Sequence, residues 1–276
     1  MGTRFAGRRA LVTGASRGIG AGIVERLAAE GADVAITART LEQHDHLAGS
    51  LNETARRLER YGRTIAPVVA DLTDDWDRAR IVPQAVEALG GPIDILVNNA
   101  AAAIYMPLKE FPIKRRRIIF EANVHAPLDL AQQVIPDMQA AGEGWILNLS
   151  SGSAKHWAGP PFQMGTQGST LAAYGASKAA LNRVTNGLAA ELYGTGIRVN
   201  SVEPRAAVMS EGAQELVGGT LRPDQIESME EMVEATIALC DCPADFTGHN
   251  TVSLDLIADW SLTVLGLDGE KLTTPS

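Results

Sequence analysis

Tyr174 and Lys178 are the two residues in this sequence whose types and spacing best suit acid–base chemistry. They stand four positions apart in the segment YGASK, within a helical pattern, so both side chains leave one helix face a turn apart. An ammonium group beside a phenol favours the phenolate, and lowering a tyrosine pKa from about 10 to about 7 takes about 4 kcal/mol. Tyr174 could then exchange a proton at neutral pH. Taken alone, the same spacing also suits a half-buried ring beside a solvated charge.

A glycine-rich turn near the amino terminus indicates a dinucleotide site. The apolar residues 10–12 lead into TGASRGIG, residues 13–20, and a helical pattern follows. Gly14 permits a tight turn, Gly18 lets the backbone approach a pyrophosphate, and Gly20 allows a helix to pack closely on a strand. The amino terminus of that helix would face the phosphates.

Seven short apolar stretches predict the strands that must position these residues. They are rich in Val, Ile and Leu, as strands buried on both faces are, and helical patterns fill the intervals. The predicted strands lie near residues 9–13, 32–37, 64–70, 93–98, 144–150, 197–202 and 250–255. The sequence therefore predicts one α/β domain over residues 1–276, a doubly wound, Rossmann-like parallel sheet with helices on both faces. A ligand of such a sheet lies across the carboxyl ends of its strands.

The composition limits the classes of partner. The chain has 276 residues, 45% of them hydrophobic, and a formal net charge of −9, which argues against binding to nucleic acid or to an anionic membrane. Residues 114–117, KRRR, are interpreted as a solvated helix face. The sequence has two cysteines, Cys240 and Cys242, no apolar signal segment and no stretch that approaches a membrane span. These features predict a cytoplasmic protein with reduced thiols.

From about Arg8 to about Asp255, the chain resembles the short-chain dehydrogenase/reductase family. Besides the glycine turn and YxxxK, the family pattern is matched by an acid after the third strand, an NNAG-like stretch, a helix asparagine and paired strand-end serines. In this chain these are Asp71, Asn98-Asn99-Ala100-Ala101, Asn123 and Ser150-Ser151. Ala101 replaces the last glycine of the NNAG stretch.

The resemblance implies hydride transfer between a nicotinamide and a carbonyl or secondary alcohol. Tyr174 would donate or accept the proton, while Lys178 would lower the tyrosine pKa and bind the nicotinamide ribose. Ser151, with Ser150 as its rival, would donate a hydrogen bond to the substrate oxygen, unless it only caps local backbone, and Asn123 would hold a water. The residues implied to bind the cofactor are Gly14, Ser16, Arg17, Gly18, Ile19, Gly20, Arg39, Thr40, Asp71, Leu72, Asn99, Ala100, Tyr174, Lys178, Pro204 and Ala207.

The end of the second predicted strand bears on the choice of cofactor. An acid there would bind the free 2′-hydroxyl of NAD and repel a 2′-phosphate, but this chain has Ala38 followed by Arg39. Arg17, inside the glycine turn, adds a second positive charge on the same side. We therefore expect NADP(H) rather than NAD(H); the alternative is that both arginines are solvated loop residues.

Three segments depart from the family pattern. Residues 155–169 lengthen the link between Ser151 and Tyr174, and their Trp157, Phe162 and Met164 could wall a substrate pocket or contact another subunit. The family's Pro-Gly pair is replaced by Pro204-Arg205. Because arginine does not readily adopt a glycine-only backbone conformation, either φ is negative at Arg205 or the backbone follows a different path there. Arg205 could pair with a substrate carboxylate or cofactor phosphate, or turn outwards.

The third departure is a longer link after the second strand, through His44, Asp45 and His46, for which we predict no metal. Residues 206–235 are interpreted as a lid over the substrate, and the apolar tail, 256–276, as packing on its own core or on a partner subunit. The expected assembly is a homodimer or homotetramer.

Two functions of different classes are consistent with these patterns. One is an NADP(H)-dependent oxidoreductase, supported by the Ser, Tyr, Lys and Asn set; the other is a cofactor-binding scaffold without turnover, supported by Arg205 and Ala101. An epimerase or dehydratase with bound NAD is disfavoured because the arginines indicate a dissociable NADP. The substrate is expected to be apolar and of medium size, in a pocket flanked by residues 101–105 with Trp157, Phe162 and Met209 as walls.

Overall fold

Seven parallel strands form the central sheet. The computed structural model describes residues 3–42, 48–164, 168–208 and 226–272. The strands are β1 Arg9–Thr13, β2 Asp33–Ala38, β3 Ile65–Val69, β4 Ile95–Asn98, β5 Gly144–Leu149, β6 Ile197–Glu203 and β9 Asn250–Val252, in the spatial order β3-β2-β1-β4-β5-β6-β9. Two short strands, β7 Ala207–Val208 and β8 Ile226–Glu227, pair in parallel apart from this sheet. The predicted doubly wound parallel sheet of about seven strands is confirmed.

Helices cover both faces of the sheet. The described α-helices are α1 Gly18–Ala29, α2 Leu51–Leu58, α3 Asp75–Leu89, α4 Ile113–Phe120, α5 Ala126–Ala141, α6 Ala172–Glu191, α7 Met229–Leu239 and α8 Ser253–Asp259. Side chains at Ser50, Asp74 and Ser228 begin three of them, since each accepts a hydrogen bond from the backbone N–H three residues later. Among the helices described between residues 3 and 272, none is both long and apolar enough to span a bilayer.

Alternation along the strands divides the core into two layers. In β1, Ala10 and Val12 belong to the layer that contains residues of α1 and α7, whereas Leu11 belongs to the layer beneath α3 and α5. Successive strand residues point to opposite faces, so a strand covered on both sides needs apolar residues throughout. All three side chains are fully buried.

The strand order reverses at β1, which pairs with β2 on one side and β4 on the other. Segments that leave the carboxyl ends of β1 and β4 therefore diverge and open a crevice between them. The glycine turn follows β1, and the NNAG-like stretch follows β4. The fold brings these two motifs together at the edge where a ligand is expected.

The carboxyl-terminal region differs from the prediction in one element. The last strand ends at Val252 rather than near residue 255, because Ser253 begins the helix α8. Asp255 lies in the first turn of this helix, where a negative charge favours helix formation. Beyond α8, Trp260 and Leu267 pack against the main core, and Arg26 donates a hydrogen bond to the Gly266 carbonyl (3.1 Å). The described part of the tail thus packs on its own chain.

Candidate active site

The glycine turn leaves no room for side chains at two positions. Gly14 has φ +67°, and a Cβ atom there would lie 2.8 Å from the Cα of Ala100. At Gly20 a Cβ atom would lie 2.3 Å from the Gly14 carbonyl oxygen, closer than any real contact. Both glycines are therefore required by close packing of the turn, the start of α1 and the segment after β4.

A hydrogen-bond network joins the turn to that segment. The Thr13 hydroxyl accepts hydrogen bonds from the backbone N–H groups of Asn99 (3.1 Å) and Ala100 (3.0 Å). In return, the Asn99 side-chain amide donates to the carbonyls of Thr13 (2.8 Å) and Gly14 (3.2 Å). Asn99 was predicted as a site residue, whereas the bridging role of Thr13 was missed because it depends on a contact between distant segments.

A cavity of about 580 Å³ opens at this crevice. Nine of the predicted cofactor residues line it: Gly14, Ser16, Arg17, Arg39, Thr40, Asp71, Leu72, Asn99 and Ala100. Its wall continues through residues 101–104 and includes Ile118 and Ala122, which are apolar. The other seven do not line it: Gly18, Ile19 and Gly20 lie in the turn and first residues of α1, Tyr174 and Lys178 lie in α6, and Pro204 and Ala207 follow β6.

Two arginines line one part of the cavity. Arg17 donates from Nη2 to the carbonyl of Gly49 (3.1 Å), and its Nε is buried without a hydrogen-bond partner among the described atoms. The Arg39 side chain is exposed at the end of β2. Asp71 is held differently, because its carboxylate accepts hydrogen bonds from the N–H (2.9 Å) and hydroxyl (2.8 Å) of Thr73. Cationic groups thus face the cavity beside the end of β2.

Tyr174 lies at the carboxyl edge of the sheet beside Ser151. The tyrosine is buried, and burial raises the pKa of its phenol above the ordinary value. The ring of Tyr105, with its centroid 5.3 Å away, packs edge-on, and its hydroxyl also raises that pKa, while a hydrogen bond with Ser151 lowers it. Ser151, and not its neighbour Ser150, contacts Tyr174; the Ser150 hydroxyl is buried without a partner among the described atoms.

Lys178 is buried one turn further along α6. Its ammonium donates to the Leu149 carbonyl (2.7 Å) and lies 6.0 Å from the centre of the Tyr174 ring. Burial lowers the pKa of Lys178 to about 8. The predicted lowering of the Tyr174 pKa by Lys178 is wrong for this structure, because burial of the phenol raises that pKa and is the largest effect on it.

Asn123 lies in a π-helical turn, Glu121–His125, between α4 and α5. Its side-chain oxygen accepts from the N–H of Ala102 (2.7 Å), and its amide donates to the Ala102 carbonyl (3.2 Å) and to the Ser177 hydroxyl (3.0 Å). Asn123 therefore connects the cavity wall to α6 immediately before Lys178. A π-turn in this place is common at functional sites and leaves no periodic signal in the sequence.

Lys155 and Arg205, which lie in two of the segments that depart from the family pattern, form ion pairs. Lys155, at the start of the inserted segment, pairs with the buried carboxylate of Glu203 (2.6 Å). Arg205 pairs with Asp255, and its φ is not positive, so the glycine-only conformation is not used. The Arg205 N–H donates to the buried carboxylate of Glu227 (2.7 Å). Neither glutamate was predicted as a site residue, because an isolated acid carries no motif.

Some predicted features fall on residues 43–47 and 209–225, which lie outside the described residues. They include His44, Asp45 and His46, the proposed wall residue Met209 and most of the lid. Within the described ranges, no group of three or more His, Cys, Asp or Glu side chains could hold a metal ion. Cys240 and Cys242 are both buried and free.

Buried Lys178 should make stability depend on pH. Its pKa is about 8 in the folded protein against 10.5 ordinarily, so between these values the unfolded chain binds more protons. The free energy of unfolding then rises with pH, by at most about 1.4 kcal/mol per pH unit. Lys178→Met removes this dependence, so the free energy of unfolding of the variant minus that of the unaltered protein should fall between pH 7 and pH 9.5. Urea unfolding across that range measures this difference, and a difference that is constant or rises would contradict the assignment.

Comparison with known proteins identifies relatives over most of the chain. The profile described as short chain dehydrogenase matches residues 8–217. Hydroxysteroid dehydrogenase-like protein 2 of Mus musculus is 31% identical over 262 residues, which are 93% of this chain and 50% of that protein. The chain thus spans about half the length of this relative.

Solved structures of short chain dehydrogenases also resemble this chain. A short chain dehydrogenase of Mycobacterium thermoresistibile is 29% identical, with a TM-score of 0.80 over 98% of this chain and 95% of that chain. A short chain dehydrogenase of Burkholderia cenocepacia, solved in complex with NADP, is 30% identical, with a TM-score of 0.74 over 90% of this chain and 97% of that chain.

Proposed function

Because this chain belongs to the short-chain dehydrogenase family of oxidoreductases, we propose that it transfers hydride between NADP(H) and a carbonyl or secondary alcohol, with Tyr174 as the acid–base residue. The observation that carries this proposal is the arrangement of Tyr174, hydrogen-bonded to Ser151 and one helical turn from Lys178, at the sheet edge that also opens the cavity. Family membership supports the reaction class, and the side chains support the roles below.

The residues present fit a nicotinamide dinucleotide. A Cβ atom is excluded at Gly14 and Gly20, and the buried Nε of Arg17 has no hydrogen-bond partner among the described atoms. Ser16 and Arg17 would hold phosphate oxygens, Asp71 and Leu72 would lie against the adenine, and Lys178 would bind the nicotinamide ribose. When bound, the cofactor supplies or accepts the hydride.

Arg39 and Arg17 underlie the proposed preference for NADP(H). Ala38 offers no carboxylate to the adenosine ribose, and the exposed Arg39 follows it at the rim of the cavity. A guanidinium group binds phosphate oxygens through several donors in one plane. Structures of relatives such as the Burkholderia cenocepacia protein in complex with NADP support the same cofactor.

Tyr174 is the proposed proton donor in the reductive direction, although burial raises its pKa and makes it a weak acid until the phenolate is stabilised. Because the phenol is neutral at pH 7, it carries the proton that the carbonyl oxygen needs as hydride arrives. Ser151 donates a hydrogen bond to the same oxygen, where negative charge develops. The Lys178 ammonium then stabilises the phenolate that remains, and the buried site strengthens this attraction.

The proposed substrate is apolar and of medium size. The inner wall of the cavity consists of residues 101–104 with Ile118 and Ala122, and the ring of Tyr105 packs against Tyr174. Few polar side chains on this wall could bind a hydrophilic substrate. The relatives named hydroxysteroid dehydrogenase-like protein 2 are consistent with an apolar alcohol or ketone. Arg205 pairs with Asp255, so its charge already has a partner within the chain.

The experiment is a screen of apolar ketones and aldehydes, including steroid ketones, with NADPH and the purified protein. Turnover is measured as the loss of reduced-nicotinamide absorbance. We expect turnover with at least one class and none when NADPH is omitted. If NADPH binds but no hydride is transferred to any member of a broad panel, or back from the matching alcohols, the cofactor-binding scaffold becomes the better account.

A further inference from the structure

Gly49, two residues before α2, contacts the glycine turn. This residue has φ +95°, in the left-handed region, and a Cβ atom there would lie 2.5 Å from the Ser16 carbonyl oxygen and 2.9 Å from the Cβ of Arg17. The contact joins segments more than thirty residues apart in sequence. A side chain at position 49 would therefore displace the backbone of the turn or that of residue 49 itself.

The Gly49 carbonyl also holds the side chain of Arg17. It accepts a hydrogen bond from Nη2 at 3.1 Å, while Nε remains without a partner among the described atoms. An arginine has five N–H donors in a rigid plane, so fixing one end orients the remaining donors. Since Arg17 also lines the cavity, this contact sets the direction in which a cationic group faces it.

The start of α2 supports the same geometry. The Thr54 hydroxyl of α2 donates to the carbonyl of Ala15 (3.2 Å), directly before Ser16 in the glycine turn. The N–H of Leu51 donates to the carbonyl of Thr40 (3.0 Å), the residue after Arg39. Backbone on both sides of the cationic part of the cavity is thus fixed by residues 49–54, while the Arg39 side chain itself stays exposed.

We propose that Gly49 is a positioning residue for recognition of the cofactor's 2′-phosphate: it holds the Arg17 guanidinium in the direction that the phosphate requires. The inference rests on the proposed NADP(H) function and adds a determinant of specificity outside the glycine turn. Pre-organisation lowers the conformational entropy that Arg17 loses on binding, so the contact strengthens NADPH binding without touching the nucleotide. NADH lacks the 2′-phosphate, so the contact between Gly49 and Arg17 does not strengthen NADH binding.

The test is Gly49→Ala, with the ratio of the dissociation constants for NADH and NADPH as readout. We expect the variant to weaken NADPH binding by about tenfold, the equivalent of one hydrogen bond to a charged group, and NADH binding much less. Gly194→Ala is the matched control, because Gly194 has φ +84° with nothing within 4 Å of the added Cβ atom. It imposes similar backbone strain but should leave the ratio unchanged.

A double-mutant cycle with Arg17→Ala tests whether Gly49 acts through the arginine. In the Arg17→Ala background, Gly49→Ala should no longer change the ratio. An unchanged ratio in the single variant, or an equal loss in both backgrounds, would overturn the proposal.

Should Gly49→Ala fail to fold, Arg17→Lys provides the second test. This variant keeps the charge but loses the rigid, planar guanidinium group, so we expect it to lose most of the preference for NADPH. Full retention of that preference would contradict the proposed positioning of the guanidinium. Failure of the proposed cofactor preference has a different signature: the unaltered protein itself would bind NADH and NADPH equally, and Arg17→Ala would change neither.

Discussion

Tyr174→Phe is expected to lower kcat for carbonyl reduction by about 10²- to 10⁴-fold, the usual contribution of a positioned general acid. The variant keeps the ring that packs against Tyr105 and loses only the hydroxyl that contacts Ser151. Affinity for NADPH should stay unchanged, since Lys178 and the glycine turn remain. Steady-state kinetics on the substrate found by screening, with NADPH titration of the same preparation, measure both quantities.

Two other tyrosines serve as controls for this variant. Tyr193→Phe removes a hydroxyl that is largely exposed, with 79% of the residue accessible, and should leave kcat unchanged. Tyr105→Phe keeps the ring that packs edge-on against Tyr174 and removes only a hydroxyl with no proposed role in proton transfer, so we expect turnover to persist. Unchanged turnover in Tyr174→Phe would exclude the proposed acid–base role.

Arg39→Ala is expected to weaken NADPH binding by roughly tenfold at low ionic strength, while NADH binding changes little. The estimate corresponds to one hydrogen bond from a charged donor, reduced because Arg39 is exposed to solvent. Raising the salt concentration should shrink the difference between the variant and the unaltered protein, since screening weakens exposed charge pairs. Fluorescence titration with each nucleotide at two salt concentrations measures these effects.

The matched control is Arg115→Ala on α4, which changes the net charge equally but involves an exposed arginine outside the cavity lining. If Arg115→Ala weakens NADPH binding as much as Arg39→Ala does, the effect reflects overall charge. In that case Arg39 would not contact the 2′-phosphate.

Local patterns were sufficient to predict the architecture. Strands buried on both faces need continuous apolar runs, so residues 10–12 and their counterparts mark the sheet directly. The glycine spacing likewise predicts the turn, because only hydrogen fits where Gly20 meets the Gly14 carbonyl. The end of β9 was predicted wrongly, three residues too late, because residues 253–255 begin a helix that the apolar pattern of the strand does not indicate.

The parts of the site that escaped prediction depend on contacts between distant segments or on burial. Helical spacing predicted that Tyr174 and Lys178 share a face, but not that burial would raise one pKa and lower the other. The contact of Gly49 with Arg17 joins separate loops, and the π-turn at Asn123 follows no helical period. Proximity along a helix can be inferred from sequence, whereas desolvation and tertiary contacts require the folded chain.

Fluorescence titration of the purified protein with NADPH and then NADH tests the proposed cofactor site without knowledge of the substrate. We expect saturable binding of both nucleotides at the cavity between β1 and β4, with NADPH the tighter ligand and with the preference reduced in Arg39→Ala. Absence of binding by either nucleotide would contradict the proposed oxidoreductase function, despite the Ser151, Tyr174 and Lys178 arrangement.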